Sequence, residues 1–421
     1  MRAEIIAVGS ELLSPHFTDT NSAYITARLE EIGVEVAFRT IVGDVAADLA
    51  DAVEHALRRC GLVLVMGGLG PTEDDLTRET CARVLGRELD FEPGIKEAIE
   101  LRFRRRGRPM PGTNLKQCFV IRGAEVLPND KGTAPGLWVE SGGARLALLP
   151  GPPAELAAMF EASVFPKLRA LSGGRLTVRR TLKLTGLGES AMEEKIRSVY
   201  PGLPPDITVT TLSQPSDLAI IISCTEAAPR EALERKLDAW TARFISLLGP
   251  YVYSTSGEDL ETVVARLLVS AGKTLACAES CTGGLLGSRL TDVPGSSAFF
   301  LESAVTYSNE AKVSRLGVPR SLIAKKGAVS AEVARAMARG VRSRSGADFG
   351  LAVTGIAGPG GARPRKPVGL TYVALATARG VTVKRHLFWG GRGQVKFQAT
   401  QAALDLLRKK LLNKKVVKRP A

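Results

Sequence analysis

A chain of 421 residues exceeds what one hydrophobic core usually serves, so two or three domains are expected. With 45% hydrophobic and 24% charged residues it reads as globular; no apolar stretch approaches the ~20 residues of a spanning helix and the opening MRAEIIAVGSE lacks a signal-peptide pattern, so a cytoplasmic protein without a membrane partner is expected. The net charge of +14 concentrates in Arg102–Arg108 and Arg408–Arg419, neither interleaved with aromatics in a chain only 5% aromatic, which favours solvated basic faces over a nucleic-acid partner.

The first region alternates strand and helix patterns. Ala3–Val8 reads as an apolar strand running into Gly9-Ser10-Glu11-Leu12-Leu13, and Asp19-Thr20-Asn21 opens a helix with Tyr24, Ile25, Leu29 and Ile32 at helical spacing. Val34–Arg39 is a second strand, Ala47–Arg59 a second helix, and Leu62–Met66 a buried strand that ends in GGLGPTEDDLT, Gly67–Thr77. Such alternation predicts a mostly parallel sheet with ligands beyond the carboxyl ends of its strands. In GGLGPTEDDLT the glycines let a phosphate approach the backbone, while Glu73, Asp74 and Asp75 are hard oxygen donors for a divalent cation.

These motifs, followed by KGTAPG (Lys131–Gly136) and LLPGPPAE (Leu148–Glu155), resemble the amino-terminal domain of the CinA family, which is similar to molybdopterin-binding domains. The resemblance implies a nucleotide among Glu11, Asp19, Asn21, Gly67, Gly68, Gly70, Thr72, Gly132, Thr133 and Gly151, with Asp74 and Asp75 as metal ligands near a pyrophosphate. It also implies metal-dependent hydrolysis of ADP-ribose, an activity of some family members. Pro15 stands where the family commonly has Gly, which alters the loop after the first strand.

Ser172–Gly174 marks a boundary. Strands at Leu176–Leu184, Ile207–Thr211 and Leu218–Cys224, with helices from Ala191 and over Pro229–Leu247, resemble the small α+β, KH-like linker of the same family. Gly186-Leu187-Gly188-Glu189 is acidic and lacks the spacing of a GXXG nucleic-acid clamp, so this segment reads as scaffold.

A second α/β domain follows, with a helix carrying Leu260, Val263, Val264, Leu267 and Leu268, and then a strand at Thr274–Ala278. Glu279–Gly284 is a tight turn before a helix starting at Leu285, and the combination of Gly-rich turn and helix N-terminus predicts a phosphate site there. Ser330 caps another helix, Phe349–Val353 is a buried strand ending in TGIAGPGG, and strands at Leu370–Thr377 and Val381–Trp389 precede a closing helix over Gln394–Leu412.

The chemistry must largely dispense with histidine, of which there are three, and the six scattered cysteines lack zinc-site spacing and read as reduced thiols. A serine can instead be activated by a lysine held neutral through burial, or by a tyrosine beside that lysine. Tyr307 and Lys312, five apart, are the candidate activators, and Ser280, Ser296, Ser297 and Ser308 the available hydroxyls.

ESCTGG, LTDVPGSSAFF, TYSNEAK, KGAVS, VTGIAGPGG and KPVG resemble the CinA carboxyl-terminal domain, whose activity is deamidation of nicotinamide mononucleotide. The resemblance puts the nucleophile at Ser297 with Tyr307 and Lys312 as its activating pair, and makes Ser280 the competing nucleophile. It places substrate near Glu279, Thr282, Gly283, Gly284, Thr354 and Gly355, and Arg392 near the phosphate. Glu302-Ser303-Ala304 replaces a common Gly-Gly-Val, and Gly391 an acid.

The sequence therefore implies an α/β protein with two α/β domains, molybdopterin-binding-like over 1–171 and deamidase-like over 253–421, joined by a KH-like α+β domain over 172–252. Deamidation would use no cofactor, the amino-terminal site a divalent metal, and the resemblance implies a homodimer acting on nicotinamide mononucleotide and ADP-ribose. The alternatives are the amino-terminal pyrophosphatase as the main activity and a non-catalytic nucleotide- or DNA-associated competence factor.

Overall fold

The computed structural model describes residues 1–415; Val416–Arg419 of the basic tail lie outside the described residues. The chain is mixed α/β and divides into two compact units, Met1–Val178 with Cys224–Arg235, and Arg179–Ser223 with Lys236 onward. No helix among the described residues is long and apolar enough to cross a membrane.

The first unit is built from β1 (Arg2–Val8), α1 (Thr20–Glu31), β2 (Glu35–Val42), α2 (Ala46–Arg59), β3 (Leu62–Met66), α3 (Thr77–Val84), β4 (Glu125–Leu127), β5 (Gly136–Ser141), β6 (Ala144–Leu149) and α4 (Pro153–Met159). Its six strands lie in the order β2-β1-β3-β6-β5-β4, parallel from β2 to β6 and antiparallel beyond. Along β3, Leu62, Leu64 and Met66 enter one core and Val63 and Val65 the other, so both faces are covered. That two-sided burial is why the strand is an unbroken apolar run. Asp19 caps α1 by accepting from the Ser22 N–H at 2.9 Å.

β7 (Leu176–Leu184), α5 (Glu189–Ile196), β8 (Ile207–Gln214), β9 (Asp217–Glu226), α6 (Arg230–Leu248) and β10 (Val252–Ser254) follow, with strands in the order β8-β9-β7-β10. Then come α7 (Leu260–Ala271), β11 (Leu275–Glu279), α8 (Leu285–Thr291), β12 (Phe300–Val305), α9 (Asn309–Leu316), α10 (Ala331–Ser345), β13 (Phe349–Gly355), β14 (Leu370–Thr377), β15 (Gly380–Leu387) and α11 (Arg392–Lys415). Their sheet runs β12-β11-β13-β14-β15, with β11 parallel to both neighbours and the last two strands antiparallel.

In β11, Leu275 and Cys277 pack with α7 and α11, while Ala276 and Ala278 meet Ala334, Met337, Ala338 and Val341 of α10. Small residues on that second face let α10 lie close to the sheet. The chain leaves β11 for β12 on one side and reaches β13 on the other, so the loops after these three strands open at a topological switch point.

Candidate active site

The loop after β11 carries Ser280, and the segment after β12 carries Tyr307 and Lys312. Ser308 caps α9 by accepting from the Ala311 N–H at 3.0 Å, and the helix it starts brings Lys312 back over the strand ends. Lys312 is 1% exposed. Its Nζ donates to Thr306 O at 2.7 Å, Tyr307 O at 3.1 Å and Ser280 Oγ at 3.0 Å. Burial pulls its pKa below the ordinary 10.5. In the neutral amine two N–H bonds serve the two carbonyls, leaving the lone pair to face the Ser280 hydroxyl. The neighbouring Cys281 thiol is pushed up to about 12 by burial, so it is a poor nucleophile beside this serine at neutral pH.

Glu279 is fully buried and holds the turn from beneath. Its carboxylate accepts N–H bonds from Gly284 at 3.0 Å, Leu286 at 3.0 Å and Gly287 at 2.8 Å, and the Ser303 hydroxyl at 2.7 Å. This corrects the phosphate site expected at the start of α8: the N–H groups that would have received an anion are bonded to the chain's own carboxylate. Glu279 is thus a support of the turn rather than a substrate contact. Ser303, one of the residues replacing Gly-Gly-Val, supplies its fourth donor.

Other expected residues separate by position. Ser297 is exposed in the turn before β12, whose first residue pairs with Leu275 and whose last pairs with Glu279. It therefore stands at the end of the strand opposite Ser280, Tyr307 and Lys312, and within one chain these groups do not meet. Tyr307 is 61% exposed, and its hydroxyl accepts from Arg392 Nη2 at 3.0 Å rather than facing a serine. Arg392 Nη1 donates to Gly358 O at 2.9 Å, so the guanidinium ties the TGIAGPGG loop to Tyr307. The Thr354 hydroxyl is committed to Ala328 O at 3.0 Å. Gly355 is demanded by close approach, since a Cβ there would lie 2.8 Å from Leu370 O and 2.6 Å from Thr371 Oγ1. The Gly283 N–H is taken by Ser280 O at 3.2 Å and that of Gly284 by Glu279, which leaves Cys281 and Thr282 as the N–H donors of this turn. Thr282 is fully buried, and its hydroxyl has no protein partner among the described residues.

In the first unit, Glu11, Gly67, Gly68, Gly70, Asp74, Asp75, Thr133 and Gly151 line a cavity of about 400 Å³ at the carboxyl ends of β1, β3 and β6, together with Asp44, Gln117 and Glu155. Gly67 has φ +96°, and a Cβ there would lie 2.3 Å from Val8 O, so only glycine fits. Asn21 Nδ2 donates to Gly151 O at 2.7 Å, and Asp75 Oδ2 accepts from the Thr72 N–H at 2.9 Å and its hydroxyl at 2.5 Å. Gly132 donates its N–H to Asn129 Oδ1 at 2.7 Å. Asn21, Asp19, Thr72 and Gly132 thus shape loops and a helix start around the cavity. Among the described residues its acids do not converge as a three-ligand set, so a cation held here would take one or two carboxylates and complete its shell with water and substrate oxygens, the habit of Mg²⁺.

Residues 4–170 match the probable molybdopterin binding domain and residues 257–411 the CinA C-terminal domain. A CinA-like protein of Acidobacterium capsulatum is 45% identical over 98% of this chain and 100% of its own length. The chain belongs to the CinA family. A putative competence-damage inducible protein of Symbiobacterium thermophilum is likewise 45% identical, over 98% of this chain and 99% of its own. A crystal structure of competence/damage inducible protein CihA from Agrobacterium tumefaciens is 38% identical, covering 38% of this chain and 99% of that one, with a TM-score of 0.35.

Against the motifs that carry the CinA resemblance, the geometry adds residues that the sequence reading passed over. Asp44 accepts the Ser10 N–H at 2.8 Å and faces the first cavity, where Gln117 and Glu155 join it. Buried Arg78 donates to Leu69 O at 3.2 Å and Lys116 O at 3.0 Å, fixing the GGLG loop. Glu155 was signalled by its place at the end of LLPGPPAE; Asp44, Gln117 and Arg78 carry no such signal. In the basic tail, Arg408 pairs with Asp405 at 2.7 Å and donates to Pro250 O at 2.8 Å. Its charge serves the fold.

Proposed function

We propose that the carboxyl-terminal site is an amidohydrolase that converts nicotinamide mononucleotide to nicotinic acid mononucleotide and ammonia, with Ser280 as nucleophile and Lys312 as base. The observation that carries this reading is the buried Lys312 amine, which among the described residues contacts no carboxylate and lies 3.0 Å from Ser280 Oγ. Neutral Lys312 takes the Ser280 proton as the oxygen attacks the carboxamide carbon. The N–H groups of Cys281 and Thr282 receive the developing oxyanion, a contribution of about 3 kcal/mol for a well-placed donor. Protonated Lys312 returns its proton to the departing nitrogen, releasing ammonia and leaving an acyl-Ser280 ester. Water, deprotonated by the same amine, then cleaves the ester to the carboxylate product and restores the hydroxyl.

The test is product analysis of the full chain with nicotinamide mononucleotide in EDTA. Ammonia and nicotinic acid mononucleotide in equal amounts are expected; absence of both would overturn the reading.

A second activity is favoured by the acid- and glycine-lined cavity of the first unit. We read it as an ADP-ribose pyrophosphatase site in which Asp74 and Asp75 would hold a divalent cation, whose chemistry is to neutralise pyrophosphate charge. The loops of Gly67–Gly70 would cradle the phosphates. AMP and ribose 5-phosphate formed from ADP-ribose only with added divalent metal, and lost in Asp74→Asn, are the expected result.

A further inference from the structure

Three basic side chains stand near the Ser280 hydroxyl: Lys312, whose amine is committed to its own contacts as the base, and the cations Arg392 and Lys396 at the start of α11. The α8 N-terminus cannot receive a substrate phosphate, because Glu279 already holds its N–H groups. With that helix terminus taken, the cationic side chains beside the turn become the candidates for recognising an anion. Lys396 is half-buried, and a Cβ built on Gly283 would lie 3.8 Å from its Nζ, which places the ammonium against the ESCTGG turn. It has no hydrogen-bond or ion-pair partner among the described residues. Among the described residues, Arg392 donates only to neutral oxygens, Gly358 O and Tyr307 Oη.

Neighbouring cations in the same unit are compensated differently. Arg289 pairs with Glu261 at 2.6 Å, and Arg408 and Lys409 each reach Asp405 at 2.7 Å. Two uncompensated positive charges four residues apart fall on one helix face. The first turn of α11 contains no acid, and its dipole is already positive there, so these cations oppose the helix rather than support it. An unfavourable arrangement next to the reacting serine calls for a ligand of opposite charge. Beside them, the buried Thr282 hydroxyl offers one more donor without a protein partner.

We propose that Lys396 is a second phosphate-binding residue of this site, forming with Arg392 a two-cation clamp for the terminal phosphomonoester of a mononucleotide. The inference rests on the deamidase reading for the rest of the substrate. A phosphomonoester carries about two negative charges at neutral pH, matched by the two cations, whereas each phosphate of a dinucleotide bridge carries one. The clamp thus selects mononucleotides over dinucleotides and over the unphosphorylated riboside.

Kinetics of the full chain with Lys396→Ala and Lys396→Arg, on nicotinamide mononucleotide and nicotinamide riboside, test it. Lys396→Ala is expected to raise KM for the mononucleotide ~10- to 100-fold with kcat within about threefold, leave riboside kcat/KM unchanged, and be largely rescued by Lys396→Arg. Equal losses on both substrates, or none on either, would overturn the clamp. Calorimetric titration with nicotinamide mononucleotide separates this from the deamidase reading. Binding weakened at least tenfold by Lys396→Ala in a chain that releases no ammonia would sink the deamidase and keep the clamp. Binding indifferent to Lys396, or no binding at all, would sink the clamp.

Discussion

Lys312 Nζ and Ser280 Oγ lie 3.0 Å apart although 32 residues separate them in the chain. Parallel pairing of β11 and β12 brings their carboxyl ends side by side and leaves Ser297 at the other end. Ser280→Ala should therefore reduce deamidation by at least about 10³-fold, while Ser297→Ala stays within about twofold of the parent. Steady-state ammonia release by the two variants decides between the hydroxyls. A large loss in Ser297→Ala alone would return the nucleophile to Ser297.

The protonation state of Lys312 sets the pH dependence. Its folded pKa lies below 10.5, and the neutral amine is the active form, so kcat/KM should rise with pH through one ionisation below 10.5 and then level off. Lys312→Arg, always protonated, should lose at least about 10²-fold. The same shift has a sign for stability. Between the folded and unfolded pKa values the unfolded chain binds more protons, so the stability of the parent rises with pH across that window. Lys312→Met lacks this titration. In thermal melts from pH 7 to 10.5 the parent should gain on Lys312→Met as pH rises; a constant difference would count against the buried, readily neutralised amine.

Glu279 satisfies three N–H groups and one hydroxyl from a fully buried position. Glu279→Ala strands those donors and should destabilise the protein by about 3 kcal/mol or more, with loss of the turn that aims Ser280. Glu279→Gln keeps one acceptor oxygen but turns the other acceptor into a donor facing N–H groups, so its loss should be intermediate. Urea unfolding of the parent and both variants should give this order, parent above Gln above Ala.

How legible the architecture was depends on which residues carried a period. Leu62–Met66 is a strand at its expected bounds because two-sided burial writes a continuous apolar run, and Leu370–Thr377 is one at its expected bounds because β-branched and aromatic residues fill it. Ser330 was readable as a cap because capping is local chemistry, whereas Ser308, read as one of the available hydroxyls, turned out to cap its helix too. The site was half legible. Lys312 and Ser280 stood out as residue types, yet their pairing depends on strand order, which no local pattern encodes. The role of Glu279 was hidden because a carboxylate beside a helix start looks the same in sequence whether it faces solvent or fills the N-terminus from below. Lys396 resembled any solvated helix lysine until the ESCTGG turn was placed beside it.

Tyr307 provides the sharpest separation between activation and positioning. The resemblance gives it to the nucleophile, whereas its hydroxyl accepts from Arg392 Nη2 at 3.0 Å and only its carbonyl touches Lys312, at 3.1 Å. A phenylalanine keeps that carbonyl and the ring but removes the acceptor for Arg392. If the hydroxyl orients Arg392, Tyr307→Phe should raise KM for nicotinamide mononucleotide about three- to tenfold, leave kcat within about threefold, and leave the riboside unaffected. If the hydroxyl moves the serine proton, kcat should fall by about 10²-fold or more on both substrates, and the pH profile should change shape as well. The exposed, solvent-facing position of the phenol and the buried Lys312–Ser280 contact favour the first outcome.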